Sequence, residues 1–134
     1  NFVYPGRSGN YKEDSPLLPV NKYGWSKLGG ESSVMLYDNS LILRICMSKK
    51  PFPHKVAFVN YFTSFIYNDQ CAEIILKLLN HKGILNIGGK RQSSYNFAMK
   101  ENLNIKKKIL SKKNKLNIGL DTSININKLK KIIK

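Results

Sequence analysis

The sequence predicts an α/β fold built on parallel strands, and three observations carry that expectation. Residues 41–46 and 83–87 are short apolar runs with the length and composition of strands buried on both faces. Between them Cys71, Ala72, Ile74, Ile75, Leu78 and Leu79 recur with the 3.6-residue period of a helix that buries one side. A second helical pattern precedes the first run, so helices and strands alternate.

Each element has its own signals. Phe2-Val3-Tyr4 reads as the end of a strand followed by a Pro5-Gly6 turn, and a strand cut at its first residue predicts that the sequence is a fragment. The rest of residues 1–21 holds Gly9, Pro16 and Pro19 and is expected to be a loop; one of this length in a compact protein is usually functional. Residues 22–37 predict a helix with Leu28, Val34, Met35 and Tyr37 as its apolar positions. Gly24, Gly29 and Gly30 cost that helix stability, and small residues there suit close approach by another backbone.

After the Asp38-Asn39-Ser40 turn, residues 41–46 predict a central strand. Residues 47–66 look irregular around Pro51 and Pro53, with a short strand within 55–62. Asp69 is placed to cap the helix that runs toward Gly83. Residues 83–89 then form a strand closed by Gly88-Gly89, and Ser93 caps a short helix through Met99. Asp121-Thr122-Ser123 is expected to start a last amphipathic helix with Ile126, Leu129, Ile132 and Ile133 on one side.

The formal net charge is +15 among 134 residues, which by itself suggests a nucleic-acid binder. Its distribution argues otherwise. From Glu101 onward ten lysines face two acids, a net +8 concentrated in a quarter of the chain that is also rich in Asn and Ile. That is the composition of a solvated, biased surface, so no nucleic-acid partner is expected. There is no run of about 18 apolar residues and no signal-peptide pattern, so no membrane partner is expected and the cytoplasm is the default location. Cys46 and Cys71 lie in separate apolar segments and read as reduced core residues. Neither they nor His54 and His81 have ligand spacing, so no metal is expected.

The chemistry-bearing segment runs from Tyr11 to Glu31. Tyr23 and Lys27 are four positions apart on a predicted helix and share a face. A free tyrosine is a poor proton donor and acceptor at neutral pH, and a neighbouring ammonium favours the phenolate and brings it toward the working range. Around the pair stand Val3-Tyr4, Pro5-Gly6, Glu13-Asp14, Pro16, Pro19, then Tyr23-Gly24-Trp25-Ser26-Lys27 and Glu31.

This order of elements resembles the extended short-chain dehydrogenase/reductases of the nucleotide-sugar type, and most closely the dTDP-4-dehydrorhamnose reductase-like members of the NAD-dependent epimerase/dehydratase superfamily. The strands at 41–44 and 83–89, the Tyr67-Asn68-Asp69 helix start and the Asp121-Thr122-Ser123 ending fit the same pattern. The resemblance implies the C-terminal part of a Rossmann-like parallel sheet with substrate-binding helices, the N-terminal nucleotide-binding half being absent. It implies a division into residues 1–46, with the catalytic helix and flanking strands, and 47–134, with the substrate-binding part and the Lys-rich tail.

The resemblance further implies NAD(P)H-dependent reduction of a 4-keto nucleotide sugar for cell-surface polysaccharide precursors. Tyr23 would be the proton donor, and Lys27 its activator and the ligand of the nicotinamide ribose, so both are catalytic and cofactor-binding. NAD or NADP would be held mainly by the missing half, which carries the Gly-x-x-Gly-x-x-Gly turn, and the family's catalytic Ser or Thr would lie just before Asn1. The fragment would then be inactive alone, with a nucleotide-sugar substrate and room for a homodimer. An epimerase or dehydratase, and a non-catalytic binding protein that keeps the fold, stand as alternatives. Lys49, Lys50 and Lys55 are candidates for contacting substrate phosphates, and Arg44 either contacts them or is a charge satisfied at the strand end; Trp25 is read as a helix-surface or core aromatic and Ser26 as a helix position, not a nucleophile.

Overall fold

The computed structural model describes residues 1–115 and 117–133. In chain order it contains α1 (Lys22–Val34), β1 (Leu41–Ile45), β2 (Met47–Ser48), β3 (Val56–Phe58), β4 (Phe62–Thr63), β5 (Ile66–Tyr67) and α2 (Asn68–Lys77). There follow β6 (Gly83–Ile87), β7 (Gln92–Ser93), α3 (Ser94–Ala98), β8 (Lys106–Lys108) and α4 (Asn127–Ile132).

The two apolar runs form the spine. β1 and β6 pair in parallel from Leu41 opposite Gly83 to Ile45 opposite Ile87, and Cys46 N–H donates to the Ile87 carbonyl at 2.8 Å to extend the ladder. Parallel neighbours need a crossover, and α2 supplies it. The side chains of β1 alternate. Leu41, Leu43 and Ile45 pack with Cys71, Leu78, Leu85, Ile87 and Leu129 into the main core, beneath α2 and α4. Leu78, Leu85, Ile87 and Leu129 are at most 2% exposed, each burial contributing about 1.5–3 kcal/mol. Arg44 lies on the opposite face, toward α1.

β1 was expected to be central, yet among the described residues it has one partner, β6, and its other edge is open. Chain entry lies at the end of that edge, where the Asn1 ammonium donates to the Ile45 carbonyl at 3.0 Å.

α2 begins at Asn68, one residue ahead of the expected Asp69 cap: the Gln70 side-chain carbonyl accepts from Tyr67 N–H at 3.1 Å, and Asp69 instead occupies the electropositive first turn. α3 starts as expected, with Ser93 Oγ accepting from Asn96 N–H at 3.1 Å. α4 starts later than Asp121 suggested. Asp121 Oδ1 accepts from Ser123 N–H and from its hydroxyl at 2.6 Å, which turns the backbone locally and buries Thr122 and Ser123 instead of launching a helix. Leu129 still anchors α4 in the core, with Ile126, Ile132 and Ile133 packed around it.

The segment expected to be irregular is threaded into pairs of very short strands: β2 with β5 and β3 with β8 in parallel, β4 with β7 antiparallel. Both cysteines are free and 1% exposed, as their apolar settings suggested. No helix among the described residues is long and apolar enough to cross a membrane.

Candidate active site

α1 presents the Tyr23 and Lys27 pair. Asn21 caps it, its side-chain oxygen accepting from Gly24 N–H at 2.8 Å. The helix ends at Val34, three residues short of the expected Tyr37, with Met35 as its C-cap. The expected apolar stripe is therefore not buried: Val34, Met35 and Tyr37 are 41%, 59% and 72% exposed, and only Leu28 of the four packs against the core. What reaches the sheet is a narrow line, Gly24, Leu28 and Glu31.

Each end of that line is a specific contact. At Gly24 the helix lies so close to Phe2 that a Cβ would run into the Phe2 carbonyl oxygen, and it would come within 2.9 Å of Pro19 Cβ. The close approach expected of a small residue is thus real at Gly24. It is not at Gly29 and Gly30, where an added Cβ meets nothing within 4 Å.

At the other end Glu31 takes both Arg44 Nε at 3.1 Å and Nη2 at 2.5 Å, the two side chains being 6% and 4% exposed. Nη1 of Arg44 donates to Tyr4 Oη at 2.7 Å and to the Glu13 carbonyl at 2.8 Å, and Tyr4 Oη donates to Asn86 Oδ1 at 2.9 Å. Burial alone would ease the proton off Arg44, but Glu31 and Tyr4 hold its pKa above the ordinary value. Burial raises that of Tyr4. Arg44 thereby has its hydrogen bonds satisfied inside the fold, where it also lines part of the groove described below.

Tyr23 and Lys27 themselves are exposed, the tyrosine at 57%. The Lys27 ammonium lies 5.2 Å from the Tyr23 ring centre, and the Phe2 ring meets that ring edge-on at 5.7 Å. Both side chains line a groove of about 630 Å³ between α1 and the open edge of β1, whose walls include Gly30, Leu43 and Ile45. A phenol and an ammonium on one wall can offer a proton and a positive charge to a molecule in the groove; the sequence contains no Gly-x-x-Gly-x-x-Gly turn to cradle a pyrophosphate.

A second groove, of about 920 Å³, adjoins the first: Phe2, Met47 and Phe65 line both. Its walls carry Phe52, His54, Phe58 and Tyr61 with Lys49, Lys55 and Lys108. Burial pushes the Tyr61 phenol up to about 12, so it stays neutral, sharing a hydrogen bond with Thr122 Oγ1 at 2.9 Å. Lys50 points elsewhere, to Asp69 at 3.3 Å on the surface. The aromatic members come from three separate short segments and carried no periodic signal in the sequence. Trp25 is 54% exposed on α1, and Ser26 Oγ bonds back to the Tyr23 carbonyl at 2.8 Å, a helix-surface role for both. Among the described residues no group of three or more His, Cys, Asp or Glu is placed to hold a metal ion.

No family model and no curated protein matches the sequence. Solved structures do. A hypothetical dTDP-4-dehydrorhamnose reductase from Sulfolobus tokodaii aligns over 99% of this chain and 56% of its own, at 31% identity and a TM-score of 0.81. A dTDP-4-dehydrorhamnose reductase from Bacillus anthracis in complex with NADP aligns over 96% of this chain and 55% of its own, at 21% identity and a TM-score of 0.78. A UDP-glucuronic acid 4-epimerase from Bacillus cereus in complex with UDP-glucuronic acid and NAD covers 98% of this chain and 52% of its own, at 22% identity and a TM-score of 0.73. The chain spans about half the length of the structures it matches. Its fold is the C-terminal half of a Rossmann-like reductase, and its structural neighbours are the dTDP-4-dehydrorhamnose reductases and related NAD-dependent epimerases and dehydratases.

Proposed function

We propose that this chain is the substrate-side part of an NAD(P)H-dependent reductase acting on a 4-keto nucleotide sugar. The observation that carries the reading is the placement of Tyr23 and Lys27 on the wall of one groove that opens into a second, aromatic and lysine-rich groove. When bound, a reduced nicotinamide supplies the hydride.

The chain's own residues do the rest. Tyr23 Oη gives its proton to the sugar carbonyl oxygen as negative charge develops there, so the product leaves as an alcohol. Lys27, one helical turn on, stabilises the resulting phenolate and reaches the ribose hydroxyls of the cofactor. The aromatic rings of the second groove offer faces for the base, and Lys49, Lys55 and Lys108 offer charge for the diphosphate.

The same reading divides the chain near residue 46 into a catalytic part and a substrate-binding part, and assigns the hydroxyl of the family's catalytic Ser or Thr and the pyrophosphate turn to residues ahead of Asn1. Reading the coding DNA upstream of Asn1 and assaying the product it encodes tests this. Expected are a continuous frame with a Gly-x-x-Gly-x-x-Gly turn, oxidation of NADH or NADPH at 340 nm with a dTDP- or UDP-linked 4-keto sugar, and a loss of at least 100-fold in kcat in Tyr23→Phe. Stereochemical interconversion without net nicotinamide oxidation would make the protein an epimerase instead. Neither activity in an intact product would leave a binding module.

A further inference from the structure

The groove residues are exposed, so their own packing does not fix where they point. Something else must hold α1 at one rotation and one position along the sheet. Its seam has no row of leucines: of the helix residues Lys22–Val34, Gly24, Leu28 and Glu31 alone are not exposed. Beyond the close contact of Gly24 with Phe2, an apolar seam that thin leaves the rest of the helix free to rotate at little cost, because dispersion contacts are non-directional. A bidentate guanidinium and carboxylate pair is directional, with two parallel bonds satisfied at one geometry.

We propose that the buried Glu31–Arg44 pair, backed by Tyr4, is the positioning device that sets α1, and with it the direction in which Tyr23 and Lys27 face the groove. The pair lies one turn beyond Lys27 and two beyond Tyr23. Arg44 is itself held on the far side by Tyr4 Oη and the Glu13 carbonyl, and Tyr4 by Asn86 of β6, so the reference frame is the β1–β6 ladder. With side chains roughly 6 Å from the helix axis, a rotation of about 20° carries the outer end of Tyr23 some ~2 Å. A misplacement of about 1 Å can cost a reaction about 100-fold. The positioning claim stands on geometry alone; its catalytic consequence rests on the function proposed above.

The test separates placement from stability. A buried ion pair replaced on both sides by apolar residues of similar size is often neutral or stabilising for the fold. In the 134-residue chain, Glu31→Leu/Arg44→Met should unfold cooperatively at a denaturant midpoint equal to or above that of the parent. Its Phe2–Tyr23 ring-to-ring nuclear Overhauser peaks should fall by half or more, with the Tyr23 ring resonances shifted or doubled. Peaks and shifts that match the parent in the folded double variant would reduce the pair to a structural contact and overturn the proposal. Should that variant not fold, Glu31→Asp serves: one methylene shorter, it must draw α1 inward or lose a bond, so unchanged Phe2–Tyr23 peaks again overturn the idea. Because this readout needs no nicotinamide and no turnover, its failure and the failure of the reductase reading are distinguishable.

Discussion

Replacing one hydrogen by a methyl at three positions of the same helix should give results of opposite sign. At Gly24 the new Cβ meets the Phe2 carbonyl oxygen, a backbone atom, and Pro19 Cβ at 2.9 Å, so neither neighbour can swing away. Overpacking of this kind costs about 1–3 kcal/mol. Alanine recovers up to about 1 kcal/mol of helix propensity, less at Gly24 because it sits in the capped first turn. Gly24→Ala should therefore lose up to about 2–3 kcal/mol and tilt the start of α1 away from Phe2. At Gly29 and Gly30 the same methyl meets nothing within 4 Å, and each should gain about 1 kcal/mol. Urea unfolding followed at 222 nm measures all three. Since the propensity term largely cancels between variants, a Gly24→Ala chain as stable as Gly29→Ala would refute the argument that Phe2 sets the helix approach.

Two further outcomes follow from the buried polar groups. Arg44→Met alone strands the Glu31 carboxylate and two hydrogen bonds, and should cost about 3–5 kcal/mol by urea unfolding, in contrast to the near-neutral double replacement. The Tyr61 phenol has a folded pKa of about 12 against about 10 unfolded, so its stabilisation is intact below pH 10 and lost as pH rises from 10 to 12, by about 2–3 kcal/mol. Tyr61→Phe should flatten that alkaline slope while costing about 1 kcal/mol at pH 7 for the Thr122 bond; an unchanged slope would place the titration elsewhere.

The elements that were legible in the sequence are those whose burial has a period. β1, β6, α2 and α3 came from apolar spacing and a Ser cap, because each buries one regular face or both. Pairings two residues long leave no period to read: whether Phe62 and Thr63 form a strand depends on Ser93 and Gln92, far along the chain. α1 misled for a different reason. Val34, Met35 and Tyr37 are apolar in type, but the helix stops at Val34 and the described residues leave all three uncovered. In the candidate site, Tyr23 and Lys27 were legible because helical spacing alone places them together. The Glu31–Arg44 pair was not, since an arginine within an apolar strand gives no hint of a partner 13 residues earlier on a helix. Glu31, one turn beyond Lys27, was the available signal.

The remaining feature without a structural counterpart is the charge. Three ion pairs are found among the described residues, so most of the 23 basic side chains stand unneutralised. Lys106–Lys108 are all exposed, and Lys100 and Lys107 lie over the rings of Phe97 and Tyr95 at 5.6 and 5.3 Å, so aromatic faces and water accommodate them. A positive field of this size draws in any anion, and salt will weaken a nucleotide sugar and a nucleic acid alike. The slope discriminates between them. Binding to duplex DNA through Z phosphates falls with a log–log salt slope of about −0.9Z, whereas a nucleoside diphosphate sugar offers two phosphate groups and no condensed counterions. A slope magnitude of about 2 or less for dTDP, with duplex DNA failing to compete with dTDP at 0.15 M salt, is expected from the lysines of the second groove. A DNA slope of 5 or more, with DNA displacing dTDP at that salt, would transfer the function of this surface to nucleic acid.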